Sequence, residues 1–552
     1  MKKQFLLLLF FFVSTFSSAQ FTTDTLVNYK VDDKPGSTQL ESRIVTTASG
    51  LTYITWFDRS SGNYDLRMQL LDKNGFPQWA QGGIVISAEP QDIYLYNYDL
   101  KTDNNNNAIV AFQDKRSGSL QVVANKFSTS GASLWGNGIV LRDSTSDGLN
   151  PTIAVLSTND VVIAWSATLG NAKWAAYSKI SAGGQLKWIK RIWNNQNYSR
   201  PAVLPSSGKG FKMLYVLETG SGASTISYMY TQRFDSSGTG LWPFPVLVSM
   251  KTIVSYFFPE IVSDGSDGFY VAFETDNQFN AALTDVYLQR VDSLGSTWSA
   301  NGTVCSLNST EHKFLGGVAV KANKTGASVL LTVRSFNYTY TGLSMQVVDS
   351  SGNVQLGTIA FELHPLIPDW YVPFGIVDLN GSVLVVYEVG GVSAQIMYGL
   401  KVDYNGTQQW GSEHQIAALL CNKLAGRVSA FVNGQVIVVW GDDRLDEGIY
   451  AQNIATSGYM GPGVGLEEQS FVSEASLFPN PSACPKLKLQ CKVPTQLTMK
   501  MFNPLGQLVY ANAVFVQAGF NELLIPGLGK GVYLVELSSD EGILWQEKWI
   551  SE

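Results

Sequence analysis

The sequence predicts an all-β protein: an eight-bladed β-propeller closed by its N-terminal strand, followed by a small β-sandwich. Three observations carry this. A unit of roughly 55 residues recurs along most of the chain, and a fixed period of that size marks propellers or solenoids. Inside the unit a glycine turn is followed by tryptophan. The last copy lacks a strand, and the chain's beginning has one to spare.

Bulk properties agree. The chain has 552 residues, too many for one ordinary core. It contains 51 glycines, which suits short strands joined by tight turns. Net charge is −7 and no basic cluster stands out, which argues against nucleic acid as a partner.

Residues 1–19 read as a signal peptide. Lys2 and Lys3 precede an apolar run from Phe5 to Val13, and Ser17, Ser18 and Ala19 offer a cleavage site before Gln20. The run is too short to span a bilayer, and no later segment is longer, so no transmembrane segment is expected in the mature chain.

Residues 20–462 form the predicted ring. The clearest unit runs from Leu51 to Ser87: a strand to Trp56, a turn with Asp58 and Arg59, a strand to Asp72, then Gly75 and Trp79. The strand ending in a large residue recurs at Phe112, Trp165, Val216, Phe273, Val333, Tyr387 and Trp440. The glycine turn and tryptophan recur at Gly131/Trp135, Gly184/Trp188, Gly238/Trp242, Gly295/Trp298 and Gly406/Trp410. The sixth copy has Leu356 in place of tryptophan, and the eighth stops after Gly458. Four antiparallel strands per copy make a propeller blade, and the recurring tryptophans read as wedges between blades. The segment from Thr25 to Val31 is expected to supply the eighth blade's missing strand, which would remove two open sheet edges.

Residues 463–473 read as a linker, and residues 474–552 as the sandwich, with alternation at Leu487/Leu489, Leu497/Met499/Met501, Leu523/Ile525 and Tyr533/Val535/Leu537. Cys484 and Cys491 flank one such strand. Seven extended residues span roughly 23 Å, which argues against a disulfide between them.

The C-terminal motifs are specific. Phe478, Pro479, Asn480 and Pro481 open the domain. Leu505-Gly506-Gln507 marks its middle, Gly531 and Tyr533 follow, and Lys548 lies near the end. This segment resembles the type A C-terminal sorting domain of the type IX secretion system of Bacteroidetes. One position departs from the pattern: Asn503-Pro504 replaces an acidic residue. The resemblance implies export to the periplasm, then recognition of this domain by the secretion machinery at the outer membrane. It also implies cleavage, with release or attachment at the cell surface.

Chemistry is sparser. The turn after the second strand carries Asp58-Arg59 in the first copy, Asp114 with Arg116 in the second, and Asp442 with Arg444 in the eighth. Ring closure makes these blades neighbours, on the rim where propellers bind ligands. The pattern suits a polar patch that grips a sugar or carboxylate. Because the pattern repeats, it suits better a framework role, with an aspartate that caps the turn and an arginine that pairs with it. His312, His364 and His414, with Glu311, Glu362 and Glu413, do not converge in sequence terms, so no metal site is expected. Asp103 to Asn107 and Asp264 to Gly268 read as polar turns rather than calcium loops. No catalytic constellation and no cofactor motif stands out. The chain therefore reads as a surface or secreted binding or adhesion module for glycan or protein. The alternative is a glycan-active hydrolase using rim carboxylates.

Overall fold

The computed structural model describes residues 20–91, 97–142, 146–220, 225–254, 257–391, 394–462, 472–491, 494–539 and 542–552. The signal segment 1–19 and most of the predicted linker lie outside the described residues. The chain divides into two compact units, Met1–Pro462 and Gly463–Glu552. Among the described residues the only helical element is one 3-10 turn, Ser207–Lys209.

The first unit is built from four-stranded antiparallel sheets, eight among the described residues. Sheet one holds Gln39–Thr46, Thr52–Asp58, Asp65–Leu71 and Ile84–Ser87, side by side in chain order. Sheets two to seven repeat this order over residues 99–141, 147–192, 197–247, 260–304, 311–367 and 370–421. Sheet eight takes Lys423–Val428, Gln435–Asp442 and Gly448–Ala455 from its own repeat. Its fourth strand is Tyr29–Asp32, with Tyr29 opposite Ala451 and Lys30 opposite Tyr450. The paired strand is shorter than the stretch from Thr25 to Val31. The Asp24 side chain accepts the Leu26 N–H in a local turn, and Asn28 adopts φ 54°, so pairing begins only at Tyr29.

Second strands are buried on both sides, as the run from Thr52 to Asp58 shows. Alternate residues therefore face different neighbours. The core is correspondingly divided into wedges between consecutive sheets. Ile109, Val122, Ile163 and Trp165 join sheets two and three. Ile54 and Trp56 meet Ile437, Val439 and Tyr29 between sheets one and eight. Tyr215, rather than Val216, is the large residue of sheet four that faces the preceding sheet, since Tyr215 belongs to the core shared with Tyr177 of sheet three while Val216 belongs to the core shared with sheet five.

The glycine–tryptophan spacing has a direct steric cause. Trp79, Trp135, Trp188, Trp242 and Trp298 each lie against the turn glycine of the next sheet, whereas Gly458 is met by His414. A Cβ on Gly131 would meet Trp79 at 3.3 Å, on Gly184 Trp135 at 2.5 Å, on Gly238 Trp188 at 2.9 Å, and on Gly352 Trp298 at 2.9 Å. The indole N–H of Trp79 donates to the Thr129 carbonyl at 2.9 Å, and that of Trp298 to Ser350 at 2.9 Å. Where tryptophan is missing another ring substitutes. Phe361 of sheet six meets Gly406, and Phe21 of the N-terminal segment meets Gly75.

The second unit has seven described strands in two sheets. One contains Val472–Phe478, Lys486–Cys491 and Gly519–Leu524. The other contains Thr495–Phe502, Leu508–Val516, Gly531–Ser539 and Gly542–Ser551. Leu487 and Leu489 of the first share a core with Met499, Met501, Val535 and Trp549 of the second. All four cysteines are free thiols.

Candidate functional site

In an antiparallel sheet, the turn between strands two and three lies at the same end as the chain's entrance to strand one. Asp58, Asp114 and Asp442 all sit at that end, on second strands. All three carboxylates are buried, and each is committed to the chain's own cations. Asp114 takes a fork from Arg116, with Nη2 2.7 Å and Nε 2.9 Å away. Asp442 takes the same fork from Arg444 and accepts the Trp440 indole N–H at 3.0 Å. Burial would raise the Asp442 pKa, but the donors of Arg444 and Trp440 more than offset it and hold it below the usual range. Arg444 also donates to the Val27 carbonyl at 2.6 Å, tying the N-terminal segment to sheet eight. In sheet one the expected partner is replaced. Asp58 bonds Lys34 and lies 3.3 Å from Arg67, while Arg59 lies over the Tyr64 ring at 5.5 Å. Buried and paired, these carboxylates have no free face for a ligand.

The polar turns are similarly self-contained. Asp103 accepts the N–H groups of Asn105 and Asn107 and pairs with Lys126 at 2.6 Å. Asp264 accepts those of Ser266 and Gly268 and pairs with Arg290 at 2.6 Å. Among the described residues no cluster of histidine, cysteine and carboxylate has metal-binding geometry.

The same end of sheets six and seven is different. The turn after strand two of sheet six presents Phe336, Tyr338 and Tyr340, and strand one of sheet seven begins at Trp370, all exposed. His312, buried, stacks on Tyr338 at 4.4 Å and on Phe336 at 6.3 Å. The Arg334 guanidinium lies 5.1 Å from the Trp370 ring and 5.2 Å from Phe314. Its Nε is buried without a hydrogen-bond partner. Burial lowers the His312 pKa, so the ring is neutral at pH 7 and lies flat among its aromatic neighbours. Sequence reading missed this cluster because its rings sit on different repeats and follow no motif. The signal that points to it is local: three aromatics in the five residues from Phe336 to Tyr340.

Farther along the sheet six–seven interface, His364 lies 3.2 Å from Glu413, and Tyr387 donates to Glu413 at 2.5 Å. Burial depresses His364 and Glu413 opposes the shift. His414 packs edge-on against Trp410 at 4.6 Å, so the three histidines remain apart.

In the second unit, motif residues distant in sequence share one groove of about 600 Å³, lined by Asn503, Pro504, Gly506, Tyr533 and Lys548 among others. Gly531 begins the strand that carries Tyr533. The Phe478-Pro479-Asn480-Pro481 segment is held nearby, with Asn480 Nδ2 donating to the Lys548 carbonyl at 2.6 Å.

The protein is thus an all-β chain of repeated four-stranded sheets that ends in a separate sandwich. That sandwich is a secretion system C-terminal sorting domain: residues 476–552 match the family of that description, the domain of type IX secretion. The chain accordingly carries the tail of a secreted cargo. Curated proteins offer no match to the chain. Among solved structures, a polysaccharide lyase described as PL25-ulvanlyase, bound to -[GlcA(1-4)Rha3S]-, is 10% identical with a TM-score of 0.45, covering 78% of this chain and 96% of its own. An α-L-arabinanase of Penicillium chrysogenum, complexed with arabinobiose, is 12% identical with a TM-score of 0.33, covering 56% and 93%.

Proposed function

We propose that the first unit is an eight-bladed β-propeller closed by Tyr29–Asp32, and that it acts outside the cell as a glycan-binding module. The pairing of that strand with sheet eight and the wedge shared by sheets eight and one support the closed ring. One observation carries the binding reading: Phe336, Tyr338 and Trp370 are exposed together at one end of sheets six and seven, backed by His312 and Arg334. Aromatic faces take the apolar faces of sugar rings. Binding is favoured over hydrolysis because the three repeat carboxylates at that rim, Asp58, Asp114 and Asp442, are held in ion pairs and are poorly placed to act as acid and base.

The test is a glycan array probed with the mature chain, run beside a turnover screen on chromogenic glycosides. Retention of at least one glycan with no turnover is expected. Hydrolysis that disappears when Asp114 or Asp442 is replaced, with the fold intact, contradicts it.

A further inference from the structure

First strands line the inside of the repeat, and several are kinked. Register shifts interrupt their pairing in sheets one, three, four, six, seven and eight. In four of these the shift includes a non-glycine residue in the left-handed region: Glu41, Asn150, Arg200 and Ala425, with φ between 50° and 54°. Such bulges re-aim the residues that follow. In sheets one and eight those residues are arginines, Arg43 opposite Thr55 and Arg427 opposite Val439. Glu260 of sheet five occupies the corresponding place, opposite Ala272.

The first strands of sheets five to eight converge on one cavity of about 550 Å³, which includes Glu260, Gly317, Gly375, Asp378 and Arg427. Arg427 keeps open surface there although protein surrounds it on most sides. Desolvation lowers its pKa to about 10, with the nearby Arg43 adding to the effect. Its side chain donates to the Gly426 carbonyl at 2.8 Å, and among the described residues no carboxylate lies within 4 Å. Each other charge near it is accounted for. Glu41 pairs with Arg43 at 3.5 Å. Asp378 accepts the Tyr404 hydroxyl and the Ala322 N–H. Glu260 is raised to about 7 by burial, partly opposed by the Val318 N–H and Arg427. The Tyr98 hydroxyl donates to the Glu41 carbonyl at 2.7 Å.

We propose that this axial cavity binds a carboxylate-bearing small ligand, held by the fork of the Arg427 guanidinium. A guanidinium without a carboxylate partner, in a walled and partly desolvated space, matches a planar oxyanion in charge and geometry. Gly317 and Gly375 allow the inner strands to pack closely, with Ile376 and Val428 where their Cβ atoms would project, and Val318, Phe374 and Val428 give the cavity an apolar wall beside the guanidinium. When protonated, Glu260 removes a competing negative charge and adds a hydroxyl donor. Affinity therefore rises as pH falls through about 7.

The probes are glucuronate and its uncharged counterpart glucose, titrated calorimetrically into the mature chain at about pH 6. Glucuronate is expected to bind at least tenfold more tightly. Arg427→Ala, and independently Arg427→Gln, are expected to lose at least tenfold for glucuronate without a change in melting temperature, while Glu260→Gln retains binding and flattens its pH dependence. Phe244→Ala, at an exposed position outside the cavity lining, leaves this binding unchanged. Equal affinity for glucose and glucuronate, or full affinity in a folded Arg427 variant, overturns the proposal.

Discussion

Buried carboxylates at the sheet ends divide into two kinds with opposite responses to change. Asp442 is fully buried and forked by Arg444. Asp442→Ala strands the guanidinium and is expected to cost about 3–5 kcal/mol in denaturant unfolding. Glu388 is the reverse case. It is buried on strand two of sheet seven, its Oε2 has no hydrogen-bond partner, and burial raises its pKa to about 8, with Lys423 opposing. Its folded-state pKa lies above the unfolded value, so its stabilising contribution is complete below about 4.5 and is lost as pH rises through about 8. Stability should fall by a few kcal/mol over that window, and Glu388→Gln should flatten the profile; a wild-type profile rising with pH would contradict this. The residues of the Asp–Arg turns were legible in the sequence, but their burial was not. Spacing placed Arg59 beside Asp58. The structure gives that place to Lys34 and Arg67, which reach it from a preceding loop and a neighbouring strand.

At the scale of elements, the tryptophan-on-glycine contact explains why the repeat tolerates wide variation elsewhere. The turn needs a residue with positive φ and no side chain facing the aromatic of the preceding sheet. Gly184 meets both needs, at φ 87° and with Trp135 where a Cβ would project. Gly184→Ala is expected to destabilise the first unit by about 2 kcal/mol or more in thermal or denaturant unfolding, from strain and overpacking together. A neutral effect would mean that the contact does not hold neighbouring sheets. Strand alternation and turn glycines made the repeat legible, because both are local. The substitutes were not. Phe361 in sheet six and Phe21 before sheet one fill the aromatic position from outside the Gly–Trp spacing, and only packing reveals them. The inner-strand bulges were equally hidden, since Glu41, Asn150, Arg200 and Ala425 share a conformation but no chemistry.

For the whole molecule, the N-terminal segment bears on the proposed ring and the C-terminal domain on export. Deleting residues 20–32 removes Phe21 from Gly75 and the last strand from sheet eight. A large drop in melting temperature is expected, because two sheet edges are left unpaired; an unchanged transition would contradict the closed ring. Removing residues 474–552 takes away the sorting domain, and the truncated chain should accumulate in the periplasm. That route was legible because its motifs are short and ordered. The proposed ligand site was not, because exposed rings on sheets six and seven come together only once the strands are paired. The most direct test of the binding function is therefore the affinity of the mature chain for the best glycan of the array, compared with Trp370→Ala and Tyr338→Ala. An approximately tenfold or greater loss in each variant, at unchanged melting temperature, is predicted. Undiminished affinity in both variants would contradict the assignment.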